Sequence, residues 1–185
     1  GGHHVRVFEN NVVNNNTDNF APEGNIVGEV PRGTGVLVQA NSDVEIFNNN
    51  IGGNETINIA VVTYSYETDD EKYNPHPSRI QIHNNKFGIS GHNPDLETGE
   101  LAKILYELSE GDMPDIFWDG VVPISKILSS KVKKETIILG NNGDATFLSI
   151  SPIKYMLPFL NPVIRDYDWF VGDISPLERV VLSEN

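Results

Sequence analysis

Four segments of the chain share one register: residues 5–11 (VRVFENN), 44–50 (VEIFNNN), 80–86 (IQIHNNK) and 137–143 (IILGNNG). Their first and third positions are Val5/Val7, Val44/Ile46, Ile80/Ile82 and Ile137/Leu139, the period of two expected of strands with one buried face. The next column holds Phe8, Phe47, His83 and Gly140. Two positions further stand Asn10, Asn49, Asn85 and Asn142, and apolar Val12, Ile51 and Phe87 follow in three copies. An Asn at one place on successive turns can donate its amide to one neighbour and accept from the other. Its backbone also tolerates the left-handed conformation that a corner demands. The repeat therefore predicts an all-β chain whose strands stack turn upon turn as a parallel β-helix, with Asn10, Asn49, Asn85 and Asn142 forming a structural ladder.

A second strand precedes three of the repeats, in residues 34–43 (TGVLVQANSD), 57–65 (INIAVVTYS) and 115–122 (DIFWDGVV). The connections vary from the tight corner at 41–43 to the longer stretches 66–78 and 123–135. In a solenoid, such variable loops on one side carry function. Coils are expected over 1–151, with an insertion around 95–111. There Leu101, Ile104, Leu105 and Leu108 fall at helical spacing before Gly111, predicting one short peripheral α-helix. The Pro- and aromatic-rich segment 152–185 is expected to cap the last coil, since an open sheet edge invites aggregation.

The stretch GVLVQANSDVEIFNNNIGGN (35–54) resembles the right-handed β-helix repeat of the pectate-lyase-like superfamily. The longer run 1–51, with NPHPSRIQIHNN, IFWDG and NNGDATF further on, resembles bacterial secreted parallel β-helix repeat-containing proteins. That resemblance implies a right-handed parallel β-helix, a secreted, periplasmic or cell-surface location, and a chain forming the C-terminal portion of a longer helix. The start, GGHHVRVFENN, enters a strand pattern at once and reads as a chain opened in mid-fold, so the first coil is expected to need missing N-terminal coils or another chain against its edge. The superfamily includes polysaccharide lyases, glycoside hydrolases and uronan epimerases, and one fold hosting many activities is usual.

Composition narrows the partners. Thirteen basic residues against 26 acidic ones give a net charge of −13, which disfavours nucleic acid as a partner. The same acidity suits hard cations, so Ca²⁺ is a possible ligand. There is no cysteine, which removes disulfides and thiolate chemistry. No apolar run approaches the roughly 18 residues of a membrane span.

Candidate catalytic residues are Arg6, Glu45 and His83. Arg6 and Glu45 fall in the outward column Arg6, Glu45, Gln81, Ile138. A lyase acting on acidic sugars needs a base and a charge stabiliser, and Arg6 beside Glu45 could belong to such a groove. The pair reads equally as a cross-strand ion pair, and no cluster of several Asp residues accompanies it. His83 shares a column with Phe8 and Phe47, where stacking competes with catalysis or metal binding. With His76 and His92 it would make a three-histidine site only if the loops folded back. The loop 64–77 combines Tyr64, Tyr66 and Tyr73, suited to sugar faces, with Asp69, Asp70 and Glu71, candidate metal ligands; Gln81 joins the tyrosines as a ligand-binding candidate. The loop 14–35 carries Asp18, Glu23, Glu29 and Arg32 and exceeds what a corner needs. No nucleophile elbow, phosphate loop, zinc signature or dinucleotide motif appears. The expected function is a secreted module engaging polysaccharide along its stacked-strand face. Non-catalytic binding is favoured, with a polysaccharide lyase or uronan epimerase as the alternative.

Overall fold

The computed structural model describes residues 2–22, 24–66, 69–123, 136–151, 154 and 159–179. Glu23, most of the 123–135 connection and parts of the 152–185 segment lie outside that set. The strands are β1 (His3–Phe8), β2 (Asn11–Val13), β3 (Thr34–Gln39), β4 (Ser42–Phe47), β5 (Asn50–Gly52) and β6 (Ile57–Val62). After them come β7 (Ser78–His83), β8 (Lys86–Phe87), helix α1 (Glu100–Leu108), β9 (Ile116–Trp118), β10 (Ile137–Leu139), β11 (Phe147–Ile150) and β12 (Val163–Ile164). The protein is mostly β, with parallel sheets and, among the described residues, one α-helix. That helix is too short to cross a membrane.

The strands are dealt in turn to three sheets, ordered β1-β4-β7-β10, β2-β5-β8 and β3-β6-β9-β11-β12. Every pairing is parallel except β11 with β12. Val5, Val44, Ile80 and Ile137 lie side by side in the first sheet, as do Val7, Ile46, Ile82 and Leu139. With Ile51 of the second sheet and Val38, Ile59, Val61, Ile116 and Phe147 of the third, all of these but the exposed Val5 form one core, Val7 packing at its margin. The second sheet, β2-β5-β8, is an addition to the two-strand unit read from the pattern. Its strands are two or three residues long, too short for alternation to register, and each contributes only Val12, Ile51 or Phe87 to the interior.

The Asn columns close the corner between the first two sheets. The main-chain and side-chain N–H groups of Asn10 both donate to Asn49 Oδ1 (3.0 and 3.1 Å), those of Asn49 to Asn85 Oδ1 (both 3.0 Å), and those of Asn85 to Asn142 Oδ1 (3.0 and 3.2 Å). Asn142 Nδ2 donates to the Tyr167 hydroxyl, which donates to the Gly140 carbonyl. The left-handed residues are not the ladder Asn themselves but their predecessors, Glu9, Asn48 and Asn84, at φ 53–56°. Each turns the chain so that the following amide points inward. A second Asn corner continues from Asn15 to Asn54, Asn58 and the Asp115 carboxylate.

A second left-handed column, His4, Asp43 and Arg79, interrupts β1, β4 and β7 at one level. There Arg79 reaches Asp43 through Nε (2.5 Å) and NH2 (2.6 Å), and this bond is the main cause holding the Asp43 carboxyl below the usual carboxylate range. A depressed carboxylate contributes stability that is present above its unfolded value and lost as pH falls through the folded one. Arg79→Met is therefore expected to cost no more than about 1 kcal/mol near neutral pH, because Arg79 is half exposed and water screens the pair. The difference between variant and parent should close on acidification through the Asp43 value, which denaturant titrations at stepped pH measure.

Helix α1 buries Ala102 and Leu105. It sits over the outer face of the third sheet, where Leu105 packs with Ile57, Ala60, Val62, Phe117 and Leu148 in a second core. The two ends of the stack differ. At one end β12, Tyr167 and Phe170 lie against β11 and the core. At the other, β1, β2 and β3 pair on one side only among the described residues. Val5 there is 37% exposed, against 3% for Val44 directly beneath it.

Candidate functional site

The outward column of the first sheet holds Arg6, Glu45, Gln81 and Ile138 side by side. The chain's own C-terminal segment runs across it. Val171 bridges to Leu139, Gly172 lies over Ile138, and Ser175 exchanges two hydrogen bonds with the Gln81 amide (2.6 and 2.7 Å). The Leu177 N–H donates to Glu45 Oε2 at 3.2 Å. Gly140 is the fourth member of the aromatic column because a Cβ there would stand 2.5 Å from His83 Cβ and crowd Ile174. The face expected to meet ligand is thus occupied from within, and Gln81 is spent on main-chain groups 94 residues away.

Beneath this segment Glu45 is 1% exposed. Its Oε2 accepts from Arg6 Nε at 3.0 Å and its Oε1 lies 3.2 Å from His83 Nε2. A carboxylate only accepts, so His83 Nε2 donates, and Nδ1 is left to accept from Asn84 Nδ2 at 3.1 Å. The rings of Phe8, Phe47 and His83 stack in parallel at 5.1 and 5.4 Å, and the Arg6 guanidinium lies about 5 Å from the two phenyl centroids. The three candidate catalytic residues are therefore brought together, but as a closed cluster with every charge partnered. Where the cluster emerges at the edge of β1, His4, Arg6, Phe8 and Arg179 line a hollow of about 560 Å³.

The tyrosine loop forms its own small unit. Tyr66 contacts both Tyr64 (5.7 Å) and Tyr73 (4.6 Å), and the Tyr73 hydroxyl donates to the Tyr64 carbonyl. Tyr66 is half exposed. Asp69, Asp70 and Glu71 are all exposed, and the Asp70 carboxylate accepts from Lys72 N–H within the same turn. Among the described residues no group of three or more His, Asp or Glu could hold a metal ion; His76, His83 and His92 are not gathered.

Two other regions were not legible as sites. Along the outer side of the ladder corner, two adjoining hollows of about 320 and 530 Å³ meet at Asn84 and Lys86. One wall is the left-handed column Glu9, Asn48 and Asn84 with Asn141. The other is Asn11, Asn50 and Lys86, where Asn50 Nδ2 donates to Asn11 Oδ1. All of these side chains are exposed. The doubled and tripled Asn of each repeat was the signal: one Asn per copy points in, and its neighbours must point out.

The second region is a cleft of about 880 Å³ between α1 and the outer face of the third sheet. Leu37, Val62, Phe117 and Ile150 come from the sheet, and Leu101 and Ile104 from the helix. At one end stands Asp119, whose Oδ2 accepts from Thr63 N–H (2.5 Å) and Oδ1 from Val121 N–H (3.0 Å). Burial pushes its carboxyl above the usual range despite these bonds. His76, 3.4 Å from the Thr63 hydroxyl, is pushed below the usual imidazole value by burial. Gly120, at φ +69°, makes the turn that aims Asp119; a Cβ there would collide with the Ile150 carbonyl.

Comparison of the chain with protein-family models, with curated proteins and with solved structures finds no match.

Proposed function

We propose that the chain is a right-handed parallel β-helix of the pectate-lyase-like kind, secreted, periplasmic or cell-surface, which binds polysaccharide without cleaving it. The open corner groove, rather than the first sheet's outer face, is the binding surface. One observation carries this reading: each of four successive repeats, stacked roughly 4.8 Å apart, sets at least one exposed amide along the groove, Asn11, Asn48 with Asn50, Asn84 and Asn141. Amides donate to and accept from hydroxyls equally well, and an extended glycan presents hydroxyls at a similar interval. Lys86 adds one cation. The edges of β1, β2 and β3, unpaired on one side among the described residues, support the same architecture, since a further coil in register would cover Val5, Phe8 and Val13.

Affinity electrophoresis of the protein through gels containing neutral and uronate-bearing polysaccharides tests the proposal. Retardation by at least one polymer is expected. The double variant Asn50→Asp, Lys86→Glu should weaken it about tenfold, by setting like charges beside Glu9. Retardation unchanged in that variant would move binding away from the corner, and no retardation by any polymer would overturn the proposal. The alternative, cleavage or epimerisation of a uronan, draws support from the basic hollow of His4, Arg6 and Arg179. It requires new unsaturated uronate ends, read by ultraviolet absorbance, or a changed uronate ratio after incubation with and without Ca²⁺.

A further inference from the structure

We propose that the cleft between α1 and the third sheet binds a small amphiphile with an alkyl or aryl body and a single ammonium head, seated with that head against Asp119. The volume, about 880 Å³, falls within the range of small-molecule pockets, and the walls are predominantly apolar with a few convergent polar groups, as such pockets are. Leu37 and Ile150, only partly buried, offer a floor beside the buried Val62 and Phe117, and Ile104 stands half exposed above it. That is the half of the site suited to hydrocarbon.

The other half is defined by charge. The cleft's ionisable lining residues are Glu29, Glu100 and Asp119, all acidic, with no Lys, Arg or His among them. Glu29 and Glu100 are exposed at the rim and solvated, so they attract a cation without fixing it. Asp119 differs. Its two oxygens take main-chain N–H groups of Thr63 and Val121, and no guanidinium or ammonium among the described residues pairs with it. Burial disfavours its charged form, and an ammonium beside it favours that form in surroundings where the pair is poorly screened. His76 and Asp119 attract by charge, each favouring the other's ionised form, but burial outweighs this for the imidazole and holds it below its usual value. An uncharged ligand would gain only the apolar walls, and an anion would meet three carboxylates.

The test uses n-octylamine, protonated at neutral pH, against 1-octanol, each titrated calorimetrically into the full chain below self-association. Octylammonium is expected to bind about tenfold more tightly than octanol. Asp119→Asn should bring the ratio to about one while leaving octanol affinity unchanged. Should that variant fail to fold, Gln39→Lys sets a resident ammonium in the same lining with Asp119 intact, and the preference should vanish there too. Equal affinities in the parent chain, binding of neither probe, or a preference that survives Asp119→Asn or Gln39→Lys would overturn the proposal.

Discussion

Replacing Asn85 by alanine is expected to lower the unfolding free energy by about 3–5 kcal/mol, whereas Asn10→Ala should cost less than about 1 kcal/mol. The residues share one column and one hydrogen-bond pattern, and they differ in what surrounds them. Asn85 is 4% exposed. Its Oδ1 takes both the main-chain and side-chain N–H of Asn49, and its Nδ2 donates to the Ile46 carbonyl and Asn142 Oδ1. Alanine leaves the Asn49 main-chain N–H buried without an acceptor and withdraws a donor from Ile46 O. An orphaned buried group costs about 1–3 kcal/mol, beyond the bond itself. Asn10 stands at the exposed end. Its main-chain N–H still reaches Asn49 Oδ1 after truncation, and water replaces the rest. Urea unfolding of both variants measures the difference. Equal losses would mean that the ladder contributes through the corner's backbone geometry and not through buried amides.

Asn85→Asp sharpens the point. One carboxylate oxygen still accepts from Asn49, but the other sets an acceptor against both Ile46 O and Asn142 Oδ1. It should therefore be at least as harmful as alanine. A strand ladder held only by main-chain pairing between β4 and β7 would barely notice the exchange.

The stacked strands were readable because their determinants are local and repeated. Val44, Ile46 and Asn49 recur at fixed offsets, so the parallel pairing of β1, β4, β7 and β10 follows from aligning four strings. The third turn's His83 stacks on Phe47 as its column position implies. Nothing local announces that Gln81 bonds to Ser175 or Glu45 to Leu177. These contacts join residues 94 and 132 apart, and the tail residues carry no periodicity to align. Asp119 was hidden for another reason. It sits at the end of an apolar run, and its importance arises only where Thr63, Val121 and helix α1 converge from three separate connections. The outward Asn48, Asn50 and Asn84 stand in the sequence as plain neighbours of the ladder Asn, since only the fold separates the amide that points in from those beside it.

Arg6 is the residue a lyase reading would mutate first, and the structure assigns that mutation a different meaning. Arg6→Met should destabilise the chain by about 3–5 kcal/mol, since it leaves a buried carboxylate without its cation. Glu45 would retain the Leu177 N–H and the His83 ring, but neither supplies the charge that Arg6 does at 3.0 Å. The methionine stem keeps much of the contact with Phe8 and Phe47, so the loss isolates the charge from the packing. Adding Glu45→Gln should recover more than half of the loss, because a neutral amide still accepts from Leu177 and has no charge to compensate. Loss of polysaccharide binding or turnover in Arg6→Met alone would then be ambiguous, and the double variant resolves it. Function restored along with stability assigns Arg6 to the fold. Function still absent in a stable double variant assigns Arg6 and Glu45 to the site, and the C-terminal segment across them becomes a cover that must move. Amide exchange over residues 172–179 distinguishes the two directly, since a cover that opens should lose protection there before β4 and β7 do.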